Sequence, residues 1–262
     1  MNLDLTHKTA IVCGSTQGIG RASAVELALL GANVTLMARN EASLQETLSA
    51  LDTSKGQTHR YLVADFASTT SVKNAIDAYL AEFPEVHILV NNTGGPSGGP
   101  IIDAAPEQFL ATFEMHLVNN QLLAQAVVPA MKKAGFGRII NIISTSVKQP
   151  IVGLGVSNTI RWAVASWAKT LSLEIGKFGI TVNNVLPGYT KTGRLESVNK
   201  MRAQATGKTV EEIATQLETE IPIGRFAEAE EVAAAVAFLC SPAAAAISGI
   251  NLPVDGGKTS SL

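Results

Sequence analysis

The sequence predicts an α/β fold of the Rossmann type: a doubly wound, seven-stranded parallel sheet with helices on both faces. Short apolar runs alternate with longer helical patterns along all 262 residues. The apolar runs are continuous rather than alternating between apolar and polar residues, which is typical of strands covered on both faces. The repeated order of strand and helix favours parallel strands.

Seven apolar runs are the candidate strands, and six longer patterns are the candidate helices. The strands are predicted at residues 9–13, 33–37, 59–63, 86–90, 137–143, 180–186 and 249–253. The helices are predicted at residues 19–30, 41–51, 70–82, 106–133, 156–178 and 228–239. Pro106 suits the first turn of a helix, whereas Gly135 and Gly179 suit helix ends. No linker or internal repeat is visible, so we predict one domain over residues 1–262.

The composition excludes several classes of protein. Hydrophobic residues make up 46% of the chain and charged residues 16%, so most of the chain must be buried. A net charge of -2 gives no basic surface for nucleic acid and no polybasic patch for a membrane. No run approaches the roughly 18 apolar residues of a membrane span, and residues 1–7 lack a signal-peptide pattern, so we predict a cytoplasmic protein. Cys13 and Cys240 lie in apolar stretches and predict buried thiols rather than a disulfide or metal site.

Residues 192–221 break the alternation of strands and helices. This polar, helical segment predicts either a substrate lid or a long surface connection, and we favour the lid. Its scattered basic residues suit either contact with an acidic thioester or carrier protein, or simple solvation of a surface; they are Arg194, Lys200, Arg202 and Lys208.

A glycine-rich turn joins the first predicted strand to the first predicted helix. Glycine permits a tight turn and lets the backbone approach a pyrophosphate, while the helix N-terminus offers unpaired N–H groups and a positive dipole end. A glycine motif alone is a weak signal, but this one has the strand–turn–helix context that dinucleotide binding requires. The predicted cofactor residues of the turn are Gly14, Ser15, Thr16, Gln17, Gly18, Ile19 and Gly20.

The end of the second strand indicates which dinucleotide binds. An NAD site usually places a carboxylate there for the ribose 2′-hydroxyl, but this chain has Ala38 followed by Arg39. Arg39 suits a 2′-phosphate instead, so we predict NADP(H) in preference to NAD(H). Asp65 and Phe66 follow the third strand, and we expect them at the adenine end of the cofactor.

Several segments resemble the short-chain dehydrogenase/reductase family, and in particular its 3-oxoacyl-acyl-carrier-protein reductase-like members. They are the turn at 14–20, Asn91-Asn92-Thr93-Gly94, residues 137–141, Pro187-Gly188 and residues 254–257. The resemblance covers nearly the whole chain in order. It implies that Asn92, Thr93 and Gly94 line the adenosine side of the cofactor. It also implies that Pro187, Gly188, Thr190 and Thr192 surround the nicotinamide.

The family's four catalytic positions are mostly altered. In the family an Asn, a Ser, and a Tyr followed four residues later by a Lys carry the reaction, with the Tyr as proton donor. Here Ser144 matches the Ser, whereas Ser157 falls at the Tyr position, Arg161 at the Lys position and His116 at the Asn position. Arg161 stays cationic, but its planar fork is not interchangeable with an ammonium group. An alkyl hydroxyl such as that of Ser157 is a far weaker acid than a phenol with a pKa of about 10.

The missing phenol leaves the source of the proton open. His116 has an ordinary pKa of about 6.5 that suits proton transfer, but a structural histidine is the favoured interpretation. Asn119 and Asn120, one turn further along, share its helical face and suit the water that the family's Asn holds. Tyr189 is the nearest other phenol, and we expect it to be a pocket wall rather than an acid.

The leading hypothesis is a divergent NADP(H)-dependent reductase of a small-molecule carbonyl, for which a 3-oxoacyl thioester is one candidate, or the reverse alcohol oxidation. A cofactor-binding pseudoenzyme that acts as sensor or scaffold is the second hypothesis, and another reaction on the same scaffold is the third. The retained Pro187, Gly188 and Thr192 favour the reductase, because a binding module needs only the adenosine half. The resemblance places the long apolar helices at 106–133 and 156–178 at one dimer interface and the segment at 247–257 at another, which predicts a homotetramer.

Overall fold

The predicted fold is confirmed by the structure, a computed structural model that describes residues 1–261. Over these residues it forms one seven-stranded parallel sheet in the order β3-β2-β1-β4-β5-β6-β7. The strands are β1 Thr9–Cys13, β2 Asn33–Ala38, β3 Arg60–Val63, β4 Ile88–Asn91, β5 Gly137–Ile142, β6 Ile180–Pro187 and β7 Asn251–Val254. The α-helices are α1 Gly18–Leu29, α2 Glu41–Ser49, α3 Thr69–Glu82, α4 Pro106–Phe113, α5 Asn119–Ala134, α6 Gly155–Ile175, α7 Gly193–Thr206, α8 Val210–Thr219 and α9 Ala229–Cys240.

The first strand explains why the apolar runs do not alternate in polarity. Successive side chains of a strand point to opposite faces of its sheet. In β1, Ala10 and Val12 pack into the hydrophobic core that includes α1 and α9. Ile11 and Cys13 pack into a second core, which includes α3 and α5 on the other face. All four side chains are fully buried, so both faces of the strand must be apolar.

The direction of the chain across the sheet reverses beside β1, which pairs with β2 on one side and β4 on the other. In open parallel sheets such a switch point opens a crevice at the carboxyl ends of the strands, where ligands bind. The structure therefore directs the search for a site to the turns that follow β1, β2 and β4.

Four asparagines cross the other half of the sheet as a hydrogen-bonded ladder. Asn91 Nδ2 donates to Asn141 Oδ1 at 2.9 Å, Asn141 Nδ2 to Asn184 Oδ1 at 2.9 Å, and Asn184 Nδ2 to Asn251 Oδ1 at 2.8 Å. The same residues are opposite one another in the backbone pairing of β4 to β7. Because the first three are buried, a shift of one strand would leave several amide groups without partners.

Two predicted elements differ from the structure. The predicted helix at 106–133 is interrupted by a π-helical turn over Glu114–Val118, which separates α4 from α5. Apolar periodicity does not reveal such a turn, because one extra residue changes the helical phase without changing the polarity of the segment. The predicted helix at 156–178 ends its α-helical part at Ile175, and a 3₁₀ turn completes it.

The segment at 192–221 consists of the helices α7 and α8. They are held together by a small hydrophobic cluster of their own, which comprises Leu195, Ala203, Ile213, Leu217, Ile221 and Phe226. Over residues 1–261, no helix combines the length and the apolar character that crossing a bilayer requires.

The asparagine ladder yields a prediction for stability. Replacement of Asn141 with Ala removes the central amide and leaves Asn91 Nδ2 and Asn184 Oδ1 buried without these partners. Each such group costs about 1–3 kcal/mol. We therefore expect Asn141→Ala to lower the free energy of unfolding, measured in urea by circular dichroism, by about the sum of two such costs.

The matched control is Asn251→Ala at the exposed end of the same ladder. Water replaces the lost partner there, so the loss should be clearly smaller. Equal losses from the two variants would show that the ladder contributes nothing special to stability.

Candidate functional site

A cavity of about 830 Å³ lies at the carboxyl edge of the sheet, at the switch point beside β1. Its wall contains residues that follow each of the seven strands, namely Gly14, Arg39, Asp65, Asn92, Ser144, Gly188 and Lys258. The helices α6 and α7 complete the wall of the cavity. Ser157 and Arg161 lie on α6, and Arg202 lies on α7. One chamber therefore joins the predicted cofactor turn to the predicted catalytic positions.

The turn after β1 requires glycine at three positions. Gly14 and Gly18 have φ angles of 57° and 52°, in the left-handed region that favours glycine. A Cβ atom on Gly20 would lie 2.1 Å from the carbonyl oxygen of Gly14. Asn92 secures the turn from the neighbouring β4, because its Nδ2 donates to the carbonyl oxygens of Cys13 and Gly14 at 3.3 and 3.2 Å. The turn is thus open to close backbone approach, which fits a dinucleotide pyrophosphate.

The seven predicted residues of the turn divide into two groups. Gly14, Thr16, Gln17, Gly18 and Ile19 line the cavity. Ser15 and Gly20 do not belong to that wall: Ser15 is buried, and its Oγ accepts a hydrogen bond from the Met37 N–H at 3.0 Å. Ser15 and Gly20 therefore stabilise the conformation of the turn from its buried side, away from the cavity.

The predicted adenosine residues lie together at one end of the cavity. Arg39, Asp65 and Phe66 all line its wall. Arg39 is exposed and has no carboxylate within 4.0 Å among residues 1–261, so its guanidinium is available to an anion. The Asp65 carboxylate accepts a hydrogen bond from the Ala67 N–H at 3.0 Å, which fixes its direction.

The predicted nicotinamide residues lie at the opposite end. Pro187, Gly188, Thr190 and Thr192 line the cavity after β6. Asn92, Thr93 and Gly94, which the resemblance assigns to the adenosine side, line it after β4, the strand between β1 and β5. Gly188 has no room for a side chain, because a Cβ would lie 2.6 Å from the Asp255 Cβ.

Hydroxyl groups fold the loop after β6 back on itself. Thr190 Oγ1 donates to the Gly188 carbonyl at 3.2 Å, and Thr192 Oγ1 donates to the Thr190 carbonyl at 3.3 Å. The Thr192 methyl lies 3.1 Å from the place where a Cβ on Gly18 would stand. The loop that leads into α7 therefore touches the cofactor turn.

Three of the four predicted catalytic residues reach the cavity: Ser144, Ser157 and Arg161. Ser144 follows β5, and its Oγ accepts a hydrogen bond from the Ser146 N–H at 3.0 Å, which leaves its own proton to be donated. Ser157 is half-buried on the first turn of α6. The site therefore has two hydroxyl groups and one guanidinium where the family has a serine, a phenol and an ammonium group.

Arg161 is buried one helical turn after Ser157. Its Nη1 donates to the Ile142 carbonyl at 2.8 Å, while its other N–H groups remain for the cavity. Burial, and to a smaller degree the positive charge of Arg194, lowers the pKa of Arg161 to about 10. Arg161 is still protonated at neutral pH, so the site keeps a fixed cation.

His116, the fourth predicted residue, does not belong to the cavity wall. It lies in the π-helical turn, is only 3% exposed, and its Nδ1 is 2.6 Å from Thr93 Oγ1. Burial, followed by repulsion from Arg161, lowers the pKa of His116 well below its usual value of 6.5. The ring is therefore neutral at pH 7, and this placement weighs against His116 as the proton donor.

The other residues considered for the proton lie on different sides of the cavity. Asn119 Nδ2 donates to the Phe66 carbonyl at 2.8 Å, so Asn119 supports the adenosine end, and its neighbour Asn120 is buried. Tyr189 lines the cavity, and its Oη accepts a hydrogen bond from Arg202 Nη1 at 3.3 Å. This position fits the wall that the sequence predicts for Tyr189.

The sequence reasoning missed part of the wall on the substrate side. Thr145 and Gln149 follow β5, and Val198 lies on α7; all three line the cavity. No motif marks them. Only their position, just after a strand end or inside the predicted lid, would have drawn attention to them.

Comparison with known proteins agrees with this geometry. The sequence model of a family described as Enoyl-(Acyl carrier protein) reductase matches residues 14–259. The chain is 34% identical over 252 residues to a putative ketoacyl reductase of Streptomyces coelicolor, covering 95% of this chain and 96% of the relative. It is 32% identical over 256 residues to the 3-oxoacyl-[acyl-carrier-protein] reductase FabG of Vibrio cholerae, covering 97% and 98% of the two chains.

Solved structures are similar over the same length. L-sorbose reductase from Gluconobacter frateurii, complexed with NADPH and L-sorbose, matches with a TM-score of 0.92 and 32% identity over 100% of both chains. A variant of actinorhodin polyketide ketoreductase with NADPH matches with a TM-score of 0.90 and 34% identity over 97% of both chains. Since the similarity to these reductases runs through nearly all of the sequence and the fold, the chain belongs to the short-chain dehydrogenase/reductase family of NAD(P)-dependent oxidoreductases.

Proposed function

We propose that this protein is an NADP(H)-dependent reductase that converts a substrate carbonyl to an alcohol, or catalyses the reverse oxidation. The observation that supports this most is the single cavity that joins the glycine turn to Ser144, Ser157 and Arg161. A protein that only sensed the dinucleotide would need the adenosine end alone. The names of its relatives make 3-oxoacyl thioesters one substrate class to test.

The chain's residues suit NADP(H) along the whole cavity. The backbone N–H groups at the start of α1 would hold the pyrophosphate, Arg39 would hold the 2′-phosphate, and Asp65 would lie at the adenine. Arg161 would bind the ribose beside the nicotinamide in place of the family's lysine. When bound, the reduced nicotinamide supplies the hydride.

The two hydroxyl groups position the substrate carbonyl. Ser144 donates a hydrogen bond to its oxygen, and Arg161 provides positive charge where negative charge develops on that oxygen. Ser157 is too weak an acid to supply the proton on its own, so it passes on a proton from water. We therefore expect slow turnover of simple ketones, because loss of a general acid costs about 10²–10⁴-fold in rate.

The helices α7 and α8 are proposed to act as a substrate lid. From the described part of the chain, α7 contributes to the cavity wall the side chains of Arg194, Leu195, Ser197, Val198 and Arg202. The hydrophobic cluster of α7 and α8 lets this pair of helices move as a unit over the nicotinamide end.

The preference for NADP(H) is tested at Arg39. We expect Arg39→Ala to weaken NADPH binding about tenfold to a hundredfold, the worth of charge-assisted hydrogen bonds to a phosphate, and to leave NADH binding nearly unchanged. Quenching of tryptophan fluorescence on titration measures both affinities. The control is Arg21→Ala, which removes an exposed cation on α1 outside the cavity wall. An equal loss of affinity for NADPH and NADH would show that Arg39 does not bind the 2′-phosphate.

The missing acid is tested by restoring it. We expect the double variant Ser157→Tyr with Arg161→Lys to raise kcat on small ketones, because it returns a phenol and the ammonium group beside it. Ile151 and Leu154 line the same part of the cavity and limit the room for the new ring, so Leu154→Ala is added to the double variant as a second test. The measurement is NADPH oxidation across ketones, 3-oxoacyl thioesters and quinones.

Wild-type protein and the single variant His116→Asn serve as controls in the same assay. Because the pKa of His116 lies well below 6.5, the fraction of protonated ring is already small at neutral pH and changes little above it. The rate of both proteins should thus be nearly flat with rising pH. A rate that falls through the neutral range and loses this fall in His116→Asn would restore His116 as the acid. No gain in any restored variant that still binds NADPH would favour the pseudoenzyme.

A homotetramer is proposed from the apolar side chains that α4 and α6 leave exposed. Leu110 is 65% exposed, Trp162 50% and Leu173 75%. A second copy of the chain would cover them. We expect a tetramer by light scattering at micromolar concentration, and dissociation in Leu173→Glu. The control, Leu29→Glu, changes a leucine that is 47% exposed on α1 and should leave the mass unchanged. A monomeric wild-type protein would contradict the proposal.

A further inference from the structure

The wall of the cavity is markedly cationic. Of the residues from 1 to 261, Asp65 is the one carboxylate in it, and it lies at the adenosine end. The basic side chains in the wall are Arg39, Arg161, Arg194, Arg202 and Lys258. All of these except Arg39 lie away from the proposed 2′-phosphate site. A neutral ketone would offer these four cations no charged partner.

Most of these cations have an assigned partner. Lys258 pairs with Glu220 at 2.7 Å, and Arg161 donates to the backbone of β5 from beneath the nicotinamide end. Arg194 donates to the Pro96 carbonyl at 2.6 Å and lies two residues after Thr192, whose methyl touches the cofactor turn. Arg194 thus lies near the glycine turn that would hold the dinucleotide.

Arg202 differs from the other cations in its place along α7, because its partner, like those of Arg161 and Arg194, is a neutral group. It lies eight residues after Arg194 on α7, which is about 12 Å further along the helix axis and away from the cofactor turn. No carboxylate lies within 4.0 Å of its guanidinium in the part of the chain that the structure describes. Its charge faces the substrate side of the chamber.

Neutral aromatic groups hold Arg202 in place. Its guanidinium lies over the Tyr189 ring, 5.6 Å from the ring centroid, and Nη1 donates to Tyr189 Oη at 3.3 Å. Tyr189 in turn packs edge-on against Phe226, with centroids 6.1 Å apart. A half-buried guanidinium that is oriented in this way keeps N–H donors for a planar, bidentate anion.

We propose that the carbonyl substrate also carries a carboxylate, and that Arg202, held by Tyr189, binds it. This inference rests on the proposed function and specifies its substrate class. The carboxylate takes no part in the chemistry: hydride adds to the carbonyl carbon, a proton adds to its oxygen, and the acid group anchors the far end of the molecule. Arg202 is then a binding residue that decides between acids and neutral carbonyl compounds.

The test compares oxo acids with their methyl esters, which share the carbonyl and lack the charge. The series places the carbonyl one to four carbons from the acid group, so that one member spans the distance to Arg202. We expect wild-type protein to prefer the best acid over its ester by about tenfold or more in kcat/KM, the worth of a charge-assisted contact. Arg202→Gln should bring this ratio close to unity, and Arg202→Lys should give an intermediate ratio.

Lys200→Gln is the matched control, because Lys200 is an exposed cation on the same helix outside the cavity wall. It should keep the wild-type ratio. Equal use of acids and esters by wild-type protein would overturn the proposal. So would a preference that survives Arg202→Gln, or one that is lost in Arg194→Gln instead.

A binding measurement separates this inference from the proposed function. If no carbonyl compound is reduced at all, the proposed function fails. Calorimetric titration of the same acids into NADP⁺-loaded protein then tests separately whether Arg202 binds a carboxylate. Acid binding that disappears in Arg202→Gln and persists in Lys200→Gln would support carboxylate binding by Arg202. Absence of binding to wild-type protein, or binding that Arg202→Gln leaves intact, would overturn it.

Discussion

The site depends above all on the alignment of four neighbouring strands by buried amide groups. Asn91 Nδ2, both polar atoms of the Asn141 side chain and Asn184 Oδ1 have their hydrogen-bond partners only when β4, β5 and β6 lie in one register. Residues that follow those strands then come together at one edge: Thr93 after β4, Ser144 after β5 and Gly188 after β6. A slip of one residue would leave buried polar groups unpaired and would also separate these three residues of the cavity wall.

The two ends of the cavity follow different physical rules. At the dinucleotide end the backbone itself forms the surface, so a Cβ at Gly20 or Gly188 would overlap a neighbouring chain segment. At the substrate end side chains form the surface, and their charges act on one another. His116 illustrates this, because burial, and after it repulsion from Arg161, lowers the pKa of His116 and keeps its ring neutral, which removes a proton donor from the site.

Much of this arrangement was predictable from local sequence. The glycine turn, Arg39 and Asp65 each follow a strand end directly, and strand ends of a parallel sheet share one edge, so the sequence alone predicted that they would meet. The burial of His116 was not predictable, because it depends on the π-helical turn at Glu114–Val118 and on Thr93 from another strand. The separation of Ser15 from the cavity wall was hidden for a similar reason: its partner, Met37, is distant in sequence. The contact between Arg202 and Tyr189 likewise needs the fold of α7 against β6.

The separate hydrophobic cluster of α7 and α8 has an evolutionary consequence. Its members, such as Leu195 and Leu217, contact one another rather than the two cores that cover the sheet. Substitutions among them therefore alter the shape of the chamber without weakening the sheet, whereas any change at Gly20 strains the turn. A lineage that inherits this architecture can therefore change its substrate through one compact unit, while steric contacts hold the glycine turn constant.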